Sequence, residues 1–187
     1  MSARFDFIQT PLQGLLCVQR KKNQDARGFL SRFYCAESFA QAGLNPVIAQ
    51  INHTFTQQQG TVRGMHFQYE PHAECKLVSC LQGEIFDVAV DLRADSPTFL
   101  QWHGEILSAQ NQRSLYIPKG FAHGFQTLTD DCELLYLHSA MYAPQAEGAL
   151  NLKDPMLAID WPLPITEMSA RDQAHAFIKP DFQGIIL

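Results

Sequence analysis

Between residues 86 and 92 the chain alternates. Phe86, Val88, Val90 and Leu92 fall on one side, Asp87, Ala89 and Asp91 on the other. In an extended chain successive side chains point to opposite faces, so this period of two predicts a strand with one buried face. The strand has company. Residues 76–80, 99–103, 105–108, 113–117 and 132–138 are short strand-like runs, separated by Gly83, Ser96-Pro97 and other turn residues. So many short strands between Gly, Pro and Asp turns predict an all-β sandwich or barrel, an architecture that limits bare sheet edges.

The flanks read differently. Residues 30–34 and 47–52 are strand-like, and residues 57–60 form a polar turn. Residues 36–42 predict a short helix that ends at Gly43 and is barred from extension by Pro46. A second short helix is expected within residues 169–177, with Ser169 as its cap. The polar patch at residues 19–27, with Arg20, Lys21 and Lys22, reads as a solvated hairpin turn. No repeat, low-complexity stretch or linker divides the chain, so residues 1–187 read as one domain, long enough for a sizeable core.

Charge and cysteines narrow the function. A net charge of -5 and a pI of about 5.7 argue against a nucleic-acid-binding face. The first ten residues lack the apolar core of a signal peptide, and no apolar run approaches membrane-spanning length. The five cysteines, Cys17, Cys35, Cys75, Cys80 and Cys132, are odd in number and lack CxxC spacing. Most of them read as small buried hydrophobes, and a reducing cytoplasm fits best.

Two stretches carry the chemistry: VRGMHFQ at residues 62–68 and IPKGFAHGF at residues 117–125. Each combines a strand pattern, glycines and a histidine. A metal centre usually needs three or more clustered ligands. His66 and His72 do not form a His-x-His pair followed by a nearby glutamate, and His123 stands alone on its own motif, so no metal site is expected. General acid–base chemistry fits better, with His66 as base, a carboxylate to fix its tautomer and an opposed proton donor. Asp172 reads equally well as part of a capped helix start. Tyr136 shares its parity with Cys132, Leu134 and His138, so its ring could simply fill the barrel. Lys76 interrupts an apolar region, where an inward lysine is costly unless it meets negative charge. Arg63 and His66 pose a conflict. At three positions apart a regular strand sends them to opposite faces, unless Gly64 allows a bulge.

These residues, with Arg27-Gly28-Phe29, Gln50, Asn52, the run from Lys76 to Phe99, Tyr136 and IDWP at residues 159–162, resemble the dTDP-4-dehydrorhamnose 3,5-epimerase family over residues 27–172. The resemblance implies a cupin jelly-roll barrel with short peripheral helices, working as a cytoplasmic homodimer without metal or cofactor. It implies a dTDP-linked 4-keto-6-deoxy sugar as substrate and a place in deoxysugar supply for polysaccharide. It implies His66 as base, Asp172 as its partner, Tyr136 as proton donor and Lys76 near the keto oxygen. Arg27, Gln50, Asn52, Arg63, His123 and Tyr142 become substrate contacts. The chain departs from the family at Arg32, where an acid is usual, at Met141, where a tyrosine is common, and at Glu74, where glutamine is common. Those departures leave the catalytic set intact and bear on which nucleotide and sugar are taken and whether both centres invert. The rival readings are a C3- or C5-only epimerase, an isomerase of a related 4-keto sugar, and a cupin sugar-binding protein without catalysis. Against the last of these the retained His66, Tyr136, Lys76 and Asp172 argue.

Overall fold

A computed structural model describes residues 4–187. The strands are β1 (Phe5–Gln9), β2 (Leu16–Arg20), β3 (Lys22–Asp25), β4 (Gly28–Ser31), β5 (Gln50–Thr56), β6 (Thr61–Gln68) and β7 (Lys76–Gln82). They continue with β8 (Glu84–Asp91), β9 (Trp102–Ser108), β10 (Arg113–Ile117), β11 (Phe121–Thr127), β12 (Cys132–His138), β13 (Glu147–Ala149) and β14 (Glu167–Met168). Two short helices, α1 (Ala36–Gln41) and α2 (Ala170–Gln173), lie outside them. One sheet runs β1-β2-β10-β7-β12-β5, and the other runs β13-β6-β11-β8-β9, with β14 added in parallel to β6. The remaining pairings are antiparallel, and β3 and β4 form a separate hairpin. The two large sheets face each other as the jelly-roll barrel of the cupin type.

Three apolar layers follow from strand parity. Between the sheets lie Val78, Cys80, Ile85, Ala89, Leu115, Phe121, Phe125, Leu134 and Tyr136. On the outside of the second sheet, Val62, Met65, Phe67, Val88, Val90 and Leu92 are covered by Leu150, Leu152, Leu157 and Met168 from the segment after β12. On the outside of the first sheet, Leu16, Val18, Leu77 and Tyr116 are covered by Phe39 of α1. Phe39 is almost fully buried, and a side chain of its type contributes about 1.5–3 kcal/mol by leaving water.

The alternation at residues 86–92 therefore marks a strand, but not one with a polar outer face. Both faces of β8 are covered, and Asp87, Ala89 and Asp91 are wholly buried. The aliphatic residues point outward under the later segment, while Ala89 lies in the layer between the sheets. Asp91 tolerates burial because Arg93, Ser96 and Thr98 bond its carboxylate.

Other boundaries move. The strand expected at residues 47–52 is β5, which starts later, and that at residues 30–34 is β4, which starts and ends earlier. The runs at residues 99–103 and 105–108 merge into β9, after a turn closed by Leu100 N–H donating to the Asp91 carbonyl at 2.8 Å. The helix at residues 36–42 forms as α1 with Ala42 as its C-cap. Arg20 is not solvated. It is 2% exposed and stacks 3.9 Å from the Phe33 ring centroid.

Candidate active site

A cavity of about 500 Å³ opens between the sheets, lined from β5, β6, β7, β11 and β12 and from α2. Its shape depends on a bulge in β6. His66 pairs with His123 and Arg63 with Phe125, so β6 spends one more residue than β11 over the same span. Gly64 supplies it with a φ of +120°, a region open mainly to glycine. A Cβ on Gly64 would stand 2.5 Å from Gly124 Cα and 2.7 Å from the His123 carbonyl oxygen. Past the bulge Met65 and Phe67 pack outward, while Arg63 and His66 both line the cavity. The parity conflict in the sequence is resolved at the glycine that flagged it.

His66 lies 2.9 Å, through Nε2, from Asp172 Oδ1. Asp172 arrives on α2, where Ser169 Oγ accepts the Asp172 backbone N–H at 3.0 Å. Both readings of Asp172 hold: its backbone belongs to a capped helix start and its side chain to the histidine. Burial alone would raise its pKa, but the hydrogen bond and charge of His66, with Ser169 and the Gly64 backbone, hold it below the usual carboxylate value. An ionised carboxylate only accepts, so His66 Nε2 carries a proton and the lone pair of the neutral ring sits on Nδ1.

Two further histidine–carboxylate pairs border the same space. His123 Nε2 lies 2.7 Å from Asp87 Oδ1, deep in the barrel. His138 Nδ1 lies 2.8 Å from Glu74 Oε2. Between these histidines sits Tyr136, edge-on to His123 and stacked on His138, with both ring centroids at 5.9 Å. Burial, then the Asp87 charge, push its phenol well above the ordinary tyrosine range, so it is protonated at neutral pH. Lys76 Nζ donates to the His66 carbonyl at 3.2 Å and lies 3.3 Å from Glu74 Oε1. Burial pushes the Glu74 carboxyl up, but His138 and Lys76 outweigh it and hold it below its usual value.

Arg63, Tyr142, Glu147 and Arg171 also line the cavity. Tyr142 donates its hydroxyl to Glu147 Oε2 at 2.9 Å, and Arg171 pairs with the same oxygen. Asn52 lines the wall from β5. Gln50 does not. It donates to Asn52 Oδ1 at 3.0 Å and accepts the Tyr142 backbone N–H at 3.0 Å, which ties two lining residues together. Arg27 is not brought to the cavity of its own chain. It sits in the turn of the β3–β4 hairpin, exposed and paired with Asp25. Met141 is 62% exposed and outside the lining, whereas Glu74 is part of it.

The expectation that no three ligands cluster is corrected. His66, Asp172 and His175 each offer one donor atom, all within 4.8 Å of one another. His175 reaches the dyad from just beyond α2, where no spacing rule ties it to β6. Of the residues in or beside the cavity itself, Asp87, His138, Glu147 and Arg171 were missed. Parity does signal His138, which follows Tyr136 by two positions on an inward face. Asp87 sits in regular alternation on the side read as polar, so parity hid it.

A histidine paired with a carboxylate, sharing one cavity with a buried phenol, fits one class: an acid–base isomerase on a jelly-roll barrel. The family model for dTDP-4-dehydrorhamnose 3,5-epimerase matches residues 9–180. A dTDP-4-dehydrorhamnose 3,5-epimerase of Salmonella typhimurium is 43% identical over 169 residues, covering 89% of this chain and 92% of its own. The crystal structure of dTDP-4-dehydrorhamnose 3,5-epimerase from Elizabethkingia anophelis superposes with a TM-score of 0.91 at 36% identity, covering 96% of this chain and 100% of that one. A relative from Streptomyces niveus, 38% identical over 163 residues and covering 87% of this chain and 78% of its own, is a dTDP-4-dehydrorhamnose 3-epimerase. The chain belongs to the dTDP-4-dehydrorhamnose 3,5-epimerase family.

Proposed function

We propose that this protein inverts C3 and C5 of a dTDP-linked 4-keto-6-deoxyhexose, as a step in deoxysugar supply for polysaccharide. The observation that carries the reading is the His66–Asp172 dyad facing the same cavity as Tyr136 and Lys76. Both C3 and C5 flank the C4 ketone. Removal of either proton by His66 leaves an enolate whose charge rests mainly on the C4 oxygen. Asp172 holds the imidazole in one tautomer and stabilises the imidazolium that forms. The Lys76 ammonium, fixed by the His66 carbonyl and Glu74, is the donor for the developing oxyanion. Tyr136 delivers its proton to the opposite face of the carbon, and the configuration inverts. His66 then holds the abstracted proton and Tyr136 is a phenolate. Exchange with solvent resets both before the second carbon reacts. Arg63 and Arg171, cations on the cavity wall, suit the diphosphate.

Each inverted carbon should therefore acquire one solvent hydrogen. Incubation of dTDP-4-keto-6-deoxyglucose with the protein in deuterated water, followed by NMR, should show deuterium at both C3 and C5 of the product. Deuterium at C3 alone would establish the second reading, a C3-only epimerase, which the 38% identical Streptomyces niveus relative motivates. No exchange at either carbon would reject both.

A homodimer fits the exposed apolar surface. β5 is an edge of the first sheet, and its Ile51 and Phe55 are 59% and 52% exposed. The β3–β4 hairpin carries Phe29 and Leu30, 56% and 62% exposed. An unpaired apolar edge is a template for another strand. A hairpin from a second copy laid along β5 would lie beside Asn52 and bring its own Arg27 toward the neighbour's cavity. Five free cysteines suit a reducing cytoplasm, and no helix among the described residues is long and apolar enough to cross a membrane.

A further inference from the structure

Asp172 faces two histidines. His175 directs Nε2 at the same oxygen that His66 uses, 3.8 Å from Asp172 Oδ1 and too far for a hydrogen bond. That nitrogen is sealed from solvent and has no hydrogen-bond partner among the described residues. Its ring stands edge-on to His66, with centroids 6.1 Å apart. His175 is not part of the cavity lining, so the reaction proposed above leaves it without a task. A buried imidazole nitrogen without a partner calls for a physical explanation.

We propose that His66, Asp172 and His175 form a binding site for a zinc-type divalent transition-metal ion, and that the ion inhibits the enzyme by capturing its base. Imidazole nitrogen and carboxylate oxygen are the borderline donors that zinc accepts. Bonds of about 2.0–2.2 Å in a tetrahedron place donors roughly 3.3 Å apart. The His66–Asp172 and His175–Asp172 separations of 2.9 and 3.8 Å bracket that value. The remaining histidine pair lies within the 4.8 Å limit of the cluster, so a small rotation of His175 closes the tripod.

The consequence for catalysis follows from the tautomer. A metal on His66 Nε2 takes the position of the proton now held against Asp172. In the neutral ring that proton moves to Nδ1, and the lone pair that would accept a substrate proton is gone. Asp172, now a ligand, no longer orients the ring. No bond to substrate changes and no electron moves. The inhibition rests on the reading of His66 as base, but the binding site does not.

Protein treated with a chelator and then freed of it is titrated with zinc chloride by calorimetry and with cobalt chloride by visible absorption. Turnover in deuterated water is followed in parallel. One equivalent of zinc should bind, cobalt should give the intense bands of a low-coordinate site, and epimerisation should fall as zinc fills the site. Chelator should restore it. His175→Ala should weaken zinc binding by at least the roughly 10–100-fold that even an outer-shell change costs, while retaining metal-free turnover. His175→Gln, which keeps a polar side chain of similar reach, serves if the alanine variant misfolds. Equal zinc affinity in wild type and in a folded His175 variant would overturn the site, as would wild type that binds no zinc. His175-dependent zinc binding in a protein that epimerises nothing would uphold the site and reject the function proposed above. Full activity without zinc binding would reject the site alone.

Discussion

His66 and Tyr136 divide the proposed reaction between them, and substitution should separate their parts. His66→Ala should lower epimerisation and deuterium uptake together, by the about 10²–10⁴-fold typical of a general base. Tyr136→Phe keeps the ring between His123 and His138 but removes the hydroxyl. Exchange of substrate protons with solvent should then outrun inverted product, a ratio that NMR in deuterated water reads directly. Wild-type exchange in a folded His66→Ala variant would remove His66 from the mechanism. Asp91 makes a prediction about stability. Burial would raise its pKa, but bonds from Arg93, Ser96 and Thr98 hold it below the usual value. A depressed folded pKa contributes stability in full above the unfolded value of about 3.9, and the contribution is lost as pH falls below that. Asp91→Asn should cost about 3 kcal/mol near neutrality, the low end for a broken buried pair because Arg93 keeps some solvent contact. It should also flatten the acid limb of the stability curve, measured by urea unfolding from neutral pH to well below the unfolded value of about 3.9. Residue types and spaced motifs made the His66, Tyr136, Lys76 and Asp172 set legible in the sequence. Their assembly was not, because Asp172 joins His66 across 106 positions and His175 comes with it.

Strand parity was the most legible property at the level of elements, and the place where it failed was informative. The conflict between Arg63 and His66 required an irregularity, and the β6 bulge at Gly64 is that irregularity. Gly64→Ala meets two obstacles at once: a positive φ and backbone atoms of Gly124 and His123 where its Cβ would go. The expected cost exceeds about 2 kcal/mol, beyond the usual surface substitution, and should appear as a lower urea midpoint. Activity should fall further than stability explains, because relief of the clash shifts His66 relative to Arg63. Unchanged midpoint and turnover would mean that the bulge does not require glycine. The alternation of β8 misled for a different reason. Period two reports two different faces, but not what lies against each one. The cover over Val88, Val90 and Leu92 comes from residues after β12, far outside any local window.

At the scale of the whole molecule, the β5 edge and the β3–β4 hairpin make assembly testable. Sedimentation equilibrium at micromolar protein should give a dimer, and Ile51→Lys with Phe55→Lys should shift it toward monomer by charging the edge. Arg27→Ala should weaken substrate in the dimer, seen as a raised KM, although the residue lies outside the cavity of its own chain. A fully active wild-type monomer would contradict both. Of the hairpin, the polar turn and, with shifted bounds, the strand β4 were legible; β3, whose four residues are all polar, was not. The order of the chain has one more consequence. Every strand that shapes the cavity wall precedes Ser169, while Asp172 and the apolar cover of the second sheet are supplied by residues after β12. Synthesis proceeds from the N-terminus, so a ribosome that has finished the barrel has not yet made the carboxylate that meets His66. If the proposed dyad is the base, turnover reports the docking of that tail: a barrel with a displaced tail would look folded to circular dichroism and should turn over slowly.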